Sequence, residues 1–180
     1  MLSFYLALLD TPEEKSKFEQ LYLAYRQDMY KIAYGILREN HDAEDAVHEA
    51  FMILTKNIHK ISSITCPQTK AYLIIIVKNV ALKLHNQRQK VISTDFEAWE
   101  LEDNLYIEDD VILSAERENL KKHLIRLSDD DYSILYLNFY MEMSIDEIAD
   151  NLSISYEAAK KRLQRAKARL YNLIKGHDDE

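Results

Sequence analysis

Residues 144–170 read Ser144-Ile-Asp-Glu-Ile-Ala-Asp-Asn-Leu-Ser-Ile-Ser155-Tyr-Glu-Ala-Ala-Lys-Lys-Arg-Leu-Gln-Arg-Ala-Lys-Ala-Arg-Leu170. Ser144 followed by Glu147 is a capping box, and it predicts a short helix with Ile145, Ile148, Ala149 and Leu152 inward. Ser153-Ile154-Ser155 breaks that helix, and Ser155 caps the next. Beyond it Ala159, Leu163, Ala166, Leu170 and Leu173 recur at fours and threes, which makes one narrow apolar stripe. A short helix, a three-residue turn and a longer helix form the helix-turn-helix pattern. Ala149 is small where the two helices must approach, and Ile154 is placed to plug the core.

The second of these helices is basic. Residues 155–175 hold seven Lys and Arg against Glu157 alone, inside a chain of net charge −8. Glu157, Lys161, Gln164 and Arg165 point away from the apolar stripe, with Lys160 and Arg162 on its flanks. Lys and Arg pair with guanine or phosphate, Gln with adenine, and Glu accepts from cytosine, so such a face can read a major groove. An amphipathic surface helix with ordinary salt bridges is the plain alternative. It has only Glu157 to offer as an acidic partner along the helix, which favours DNA.

Working outward, the excess acid is concentrated. Residues 94–120 carry a net −9, while residues 1–93 carry +2. The pattern from about Val91 to Asp110 is acidic with scattered apolar residues, including Trp99, and reads as a linker, most simply a solvated tether. The expected organisation is all-α: a helical domain over 1–92, an acidic linker over 93–111 and a helix-turn-helix domain over 112–180. Two glycines and two prolines in 180 residues leave too few turn formers for a β-rich fold.

The N-terminal half supports this. Thr11-Pro12-Glu13-Glu14 is a helix start, followed by inward positions Phe18, Leu21, Tyr22, Tyr25, Met29, Ile32, Ala33, Ile36 and Leu37. Arg38 to His41 ends that helix. A second starts near Asp42 and buries Ala46, Val47, Ala50, Phe51, Leu54 and Ile58. A loop follows through Gln68, and Thr69 caps a third helix from Ala71 to about Arg88. The run Tyr72 to Val77 is β-branched and could be a strand, but it has no partner strand, so a buried helix is expected. In the second half, Leu113, Leu120, Leu124 and Leu127 line one helix, and Ser128 caps another that buries Ile134, Leu135, Leu137 and Phe139.

Other chemistry is poorly supported. His48-Glu49 lacks the second histidine of a zinc protease, since position 52 is Met52. The acids from Asp42 to Glu49 lack a glycine-bearing calcium loop and fit a solvated or protein-docking face better. Cys66 excludes an internal disulfide and has no catalytic partners in pattern. Neither an enzyme, a metal, a cofactor nor a small-molecule substrate is expected. Residues 1–10, MLSFYLALLD, lack a basic start and a cleavage site, and read as packing material. No apolar run approaches the ~20 residues that span a bilayer, so a cytoplasmic protein without membrane insertion is expected.

The stretch 144–170 strongly resembles the promoter-reading domain of bacterial sigma factors, and Lys160-x-Arg162-Leu163-x-Arg165-Ala166 resembles their extracytoplasmic-function (ECF) branch. Phe18-Glu-Gln-Leu-Tyr22, Tyr30-Lys-Ile-Ala-Tyr34, Asp42-Ala-Glu-Asp-Ala-Val-His-Glu-Ala-Phe51, Ala71-Tyr-Leu and Val77-Lys-Asn-Val-Ala-Leu82 are similar to sigma region 2. The resemblance implies a subunit that binds core RNA polymerase and directs promoter-specific initiation. It implies that Asp42, Glu44, Asp45, His48, Glu49 and Phe51 meet the polymerase clamp coiled coil. The loop Ile61–Thr69, with Lys78, Asn79, Lys83 and Arg88, would take the −10 element of promoter DNA and hold a flipped base. Ser155, Tyr156, Glu157, Lys160, Lys161, Arg162, Gln164 and Arg165 would read the −35 element. An anti-sigma factor is a further partner the family implies. The chain departs from the family's frequent Leu-Pro at Leu127-Ser128, and from a frequent turn glycine at Ser153. The rival reading is a freestanding helix-turn-helix regulator with an N-terminal interaction domain.

Overall fold

The computed structural model describes residues 1–91, 123–124 and 126–175. The chain divides into two compact units, residues 1–108 and 109–180. The expected linker, Trp99, Leu113 and Leu120 lie outside the described residues. Those residues contain helices and turns and no strand.

The first unit holds α1 (Leu2–Ala7), α2 (Pro12–Leu37), α3 (Asn40–Asn57), a single 3-10 turn (Ile58–Lys60) and α4 (Pro67–Val91). Thr11 starts α2 with the expected capping box: its hydroxyl accepts from the Glu14 N–H, and the Glu14 carboxylate accepts from the Thr11 N–H, both at 3.2 Å. Phe18, Leu21, Met29, Ala33 and Leu37 are buried along one face of α2. Arg38 closes the helix in the left-handed conformation, φ 56° and ψ 19°. The polar break is shorter than the sequence suggests. Glu39 caps α3 by accepting from the Asp42 N–H at 2.9 Å, so α3 begins at Asn40 rather than near Asp42.

α4 also begins earlier than expected, at Pro67 rather than Ala71. Proline suits the first turn, where its missing N–H has no partner to lose. Thr69 is therefore inside the helix, and its hydroxyl donates to the Ser63 carbonyl at 2.5 Å. Tyr72 through Val77 are all buried, which is why the run carries no amphipathic signal. α2, α3 and α4 pack on one another, and coverage on several sides overrides the strand preference of the β-branched residues.

α1 is the packing segment that the apolar N-terminal stretch suggested. Tyr5 is 1% exposed and sits among Phe18, Tyr22 and Phe51, with ring centroids 5.3–5.9 Å away. Its hydroxyl is 2.6 Å from Nδ1 of His48 on α3.

The second unit holds α5 (Asp129–Phe139), α6 (Ile145–Leu152) and α7 (Tyr156–Lys175). Ser128 caps α5 by accepting from the Asp131 N–H. Ile134, Leu135 and Leu137 are buried as expected. Phe139 is not: it is 59% exposed at the end of α5, with the Lys167 ammonium 5.0 Å from its ring centroid. The chain turns away immediately after it, and Met141 and Met143 fill the core instead.

Candidate functional site

The helix-turn-helix forms as its sequence dictates. Ser144 and Glu147 complete the capping box of α6, at 3.3 and 2.8 Å. Ser153 ends α6 with φ 52° and ψ 43°, the left-handed cap that a glycine usually supplies. The Ile154 N–H donates back to the Ala149 carbonyl at 3.0 Å, and Ser155 caps α7 by accepting from the Ala158 N–H at 3.2 Å. Ala159, Leu163 and Ala166 face the core, with Leu170 and Leu173 half-buried behind them. Ile154 is half-buried, covering the turn.

The opposite face of α7 is open. Ser155, Tyr156, Glu157, Lys160, Lys161, Gln164 and Arg165 are all exposed. At ~100° per residue, Glu157, Lys161, Gln164 and Arg165 share one side of the helix. Arg162 stands apart. Its side chain is 18% exposed and pairs with Asp130 of α5, while Arg169 pairs with Asp131 at 2.5 Å. The basic helix therefore does have acidic partners, but they come from α5 rather than from its own turns. These acids of the α5 first turn are the site residues that reading along the helix missed. Their signal was the Asp129-Asp130-Asp131 run, which reads equally well as ordinary N-terminal helix acid.

In the first unit, Glu44 and Asp45 are exposed on α3. Phe51 is 0% exposed, so it builds the core beneath that face rather than forming part of its surface. His48 is half-buried, and Tyr5 occupies its Nδ1. Burial, reinforced by neighbouring Tyr22, pushes the Tyr5 hydroxyl up to about 12, so it stays protonated throughout the neutral range. The backbone N–H groups of Asp42 and His41 hold the Glu39 carboxylate below its ordinary range.

On α4, the Asn79 amide donates to the Ile75 carbonyl at 2.7 Å, and Lys78 is half-buried. Lys83 pairs with Glu49 at 2.9 Å. Both terminal nitrogens of Arg88 reach the Asp42 carboxylate. Residues that the family resemblance assigns to two different partners are thus joined to each other. The loop before α4 is pinned from α2: Lys17 donates to the Ile61 carbonyl and Tyr25 to the Ile64 carbonyl, both at 2.8 Å. Ser62, Ser63, Thr65, Pro67 and Gln68 stay exposed along it. Among the described residues no cluster of His, Cys, Asp or Glu is arranged to hold a metal ion. None of the described helices is long and apolar enough to cross a membrane.

Comparison with known proteins bears on both units. Residues 21–91 match the family model Sigma-70 region 2, and residues 117–170 match Sigma-70, region 4. The chain is 24% identical over 156 residues to the ECF RNA polymerase sigma factor SigX of Bacillus subtilis, covering 82% of this chain and 78% of that protein. It is 23% identical over 167 residues to SigW of the same organism, covering 87% and 88%. Similarity to the RNA polymerase sigma factor YlaC, also from Bacillus subtilis, is 25% over 173 residues, covering 93% and 98%. Among solved structures, CnrH in complex with the cytosolic domain of CnrY is similar at 18% identity and a TM-score of 0.38, over 97% of this chain and 95% of that one.

Proposed function

The chain belongs to the ECF branch of the sigma-70 family, promoter-specificity factors for RNA polymerase, and from that premise we propose how its surfaces divide the work. Sigma factors direct transcription initiation and are not themselves enzymes. α3 docks on core polymerase, at the clamp coiled coil, through exposed Glu44 and Asp45. Phe51 supports that helix from below. The pinned loop and α4 take the −10 element as an opened strand. The open face of α7 reads the −35 element as duplex, with Lys161 and Gln164 toward base edges and Lys160 and Arg165 toward phosphate. Arg162, held by Asp130, positions α7 rather than contacting bases. An anti-sigma factor would compete for these same faces.

The observation that carries this reading is the predominantly basic exposed face of α7, presented by a capped helix-turn-helix, in a chain whose other half matches region 2. The region 2 match also disfavours a freestanding regulator. The test is run-off transcription with holoenzyme reconstituted from core polymerase and this protein, alongside retention of core polymerase by the tagged chain. Specific transcripts and retained core are expected. Tight duplex binding by the protein alone with no retention of core would overturn the reading.

A further inference from the structure

A small cavity lies among α1, α2 and α3, and none of the residues assigned to DNA lines it. Tyr22, Arg26 and Tyr30 recur at fours on α2, which puts them on one side of that helix, and all three line the cavity. Glu44, Val47 and His48 line it from α3, and Tyr5 from α1. We propose that this cavity binds a small zwitterion carrying an aromatic ring, with its carboxylate on Arg26 and its ammonium on Glu44.

The cavity measures about 260 Å³, the space of roughly nine waters at about 30 Å³ each, which suits one ring with a short polar tail. Its walls are largely aromatic. The Tyr5 hydroxyl is spent on Nδ1 of His48 at 2.6 Å, and the Tyr30 hydroxyl on the Asn40 side-chain oxygen at 2.8 Å, so both residues offer ring surface rather than free donors. Val47 is buried and adds aliphatic surface. Two charges remain unspent. Arg26 and Glu44 are exposed, and neither forms an ion pair or a hydrogen bond among the described residues. The Tyr22 ring holds the Arg26 guanidinium 5.7 Å from its centroid, a contact that places the cation without using its N–H donors. A singly charged ligand would pair with one of these two groups and be repelled by the other. A zwitterion satisfies both. Glu44 is also assigned to core polymerase, so an occupied cavity would compete with docking. That consequence rests on the proposed role of α3, whereas the site itself does not.

The test titrates the free, full-length, isotope-labelled protein with L-phenylalanine and follows the backbone amide resonances of α2 and α3. A saturable shift with a Kd on the order of 1 mM is expected for a ligand of this size. Phenethylamine lacks the carboxylate and hydrocinnamate lacks the ammonium, and each should bind about two- to fivefold more weakly. L-leucine keeps both charges but has no ring, and should weaken by about as much. Arg26→Gln should weaken phenylalanine about two- to fivefold yet tighten phenethylamine, because the repelling cation is gone. Glu44→Gln should weaken phenylalanine by the same factor and tighten hydrocinnamate instead. A collapsed cavity would weaken every probe and cannot give this crossed pattern. Absence of a saturable shift, or equal binding of all four probes, would overturn the site. Uniform weakening of every probe by either variant would overturn the assignment of charges. In a second measurement, retention of core polymerase by the tagged chain should fall about two- to fivefold when phenylalanine is present at a few times its Kd. Unchanged retention beside a positive titration would remove the competition alone. No retention even without phenylalanine would remove the docking assignment and leave the site standing.

Discussion

The two units solve the placement of charge in opposite ways. In the second, the open face of α7 holds Lys160, Lys161 and Arg165 outward, while Arg162 and Arg169 pair with acids of α5 and Lys167 lies over the Phe139 ring. In the first, the cations on α4 at 83 and 88 are tied to acids of α3. The contrast fits the proposed division of work. A helix that reads a groove would need its leading face bare, whereas one that meets an opened strand could keep its charges paired beforehand. Cations of the same type thus have different standing in the two halves, and composition alone does not reveal it.

The largest expected effect tests whether the units are separate in stability. Phe51→Ala removes a fully buried ring from the first unit and should cost about 3–5 kcal/mol there. Chemical denaturation followed by far-ultraviolet circular dichroism and by tyrosine fluorescence should show one transition moving and one staying. A matched shift of both would show that the halves unfold together. Next in size are the contrasts along α7. Lys161→Ala should alter base preference by about 1–3 kcal/mol at one position of the −35 element. Arg165→Ala should weaken all sequences alike and lower the salt dependence by about 0.9 in log–log slope. Competition binding across a panel of single-base variants separates the two outcomes, and a uniform loss from both would break the assigned face.

Smaller effects concern the backbone, where the units again differ. Gly35 lies inside α2, and a Cβ built there meets nothing within 4 Å. Gly35→Ala should stabilise the first unit by about 0.5–1 kcal/mol. Ser153 has the opposite mismatch, a side chain where the left-handed cap favours glycine. Ser153→Gly should stabilise the second unit by about the same amount, as seen in the melting temperature. Equal gains in either variant's distant unit would contradict the division. The smallest effect is acid-dependent. Glu39 has its ionisation range lowered in the folded chain, so its contribution is complete above the ordinary carboxylate range and is lost as pH falls through the lowered folded value. Glu39→Gln should therefore lower stability at neutral pH, with the difference from the parent vanishing in acid.

Much of this was legible along the chain because the signals are local. Thr11, Ser128, Ser144 and Ser155 act on backbone groups three residues away, and each makes the cap its sequence announces. The stripe of α7 needs only helical periodicity. What could not be read depends on distant partners. Asp42 finds Arg88 46 residues away, and Asp131 finds Arg169 at 38, with nothing between to mark the match. Phe139 fits the apolar spacing of α5, yet its position at the last turn leaves it outside the core. Phe51 sits among the charged residues that the resemblance assigns to docking but points into the core, which periodicity alone already permits. α4 starts ahead of Thr69, a good cap in the abstract, because Pro67 two residues earlier is a better first residue.

The contact between Tyr5 and His48 has a consequence in time. Its partners are 43 residues apart. At the usual pace of synthesis, roughly 5–20 residues per second, Tyr5 waits about two to nine seconds on the ribosome before His48 has been added. Six residues are too few to hold a helix unaided. Until α3 emerges, Tyr5 has only Phe18 and Tyr22 of α2 to pack against, and its hydroxyl and the Phe51 side of its ring stay uncovered.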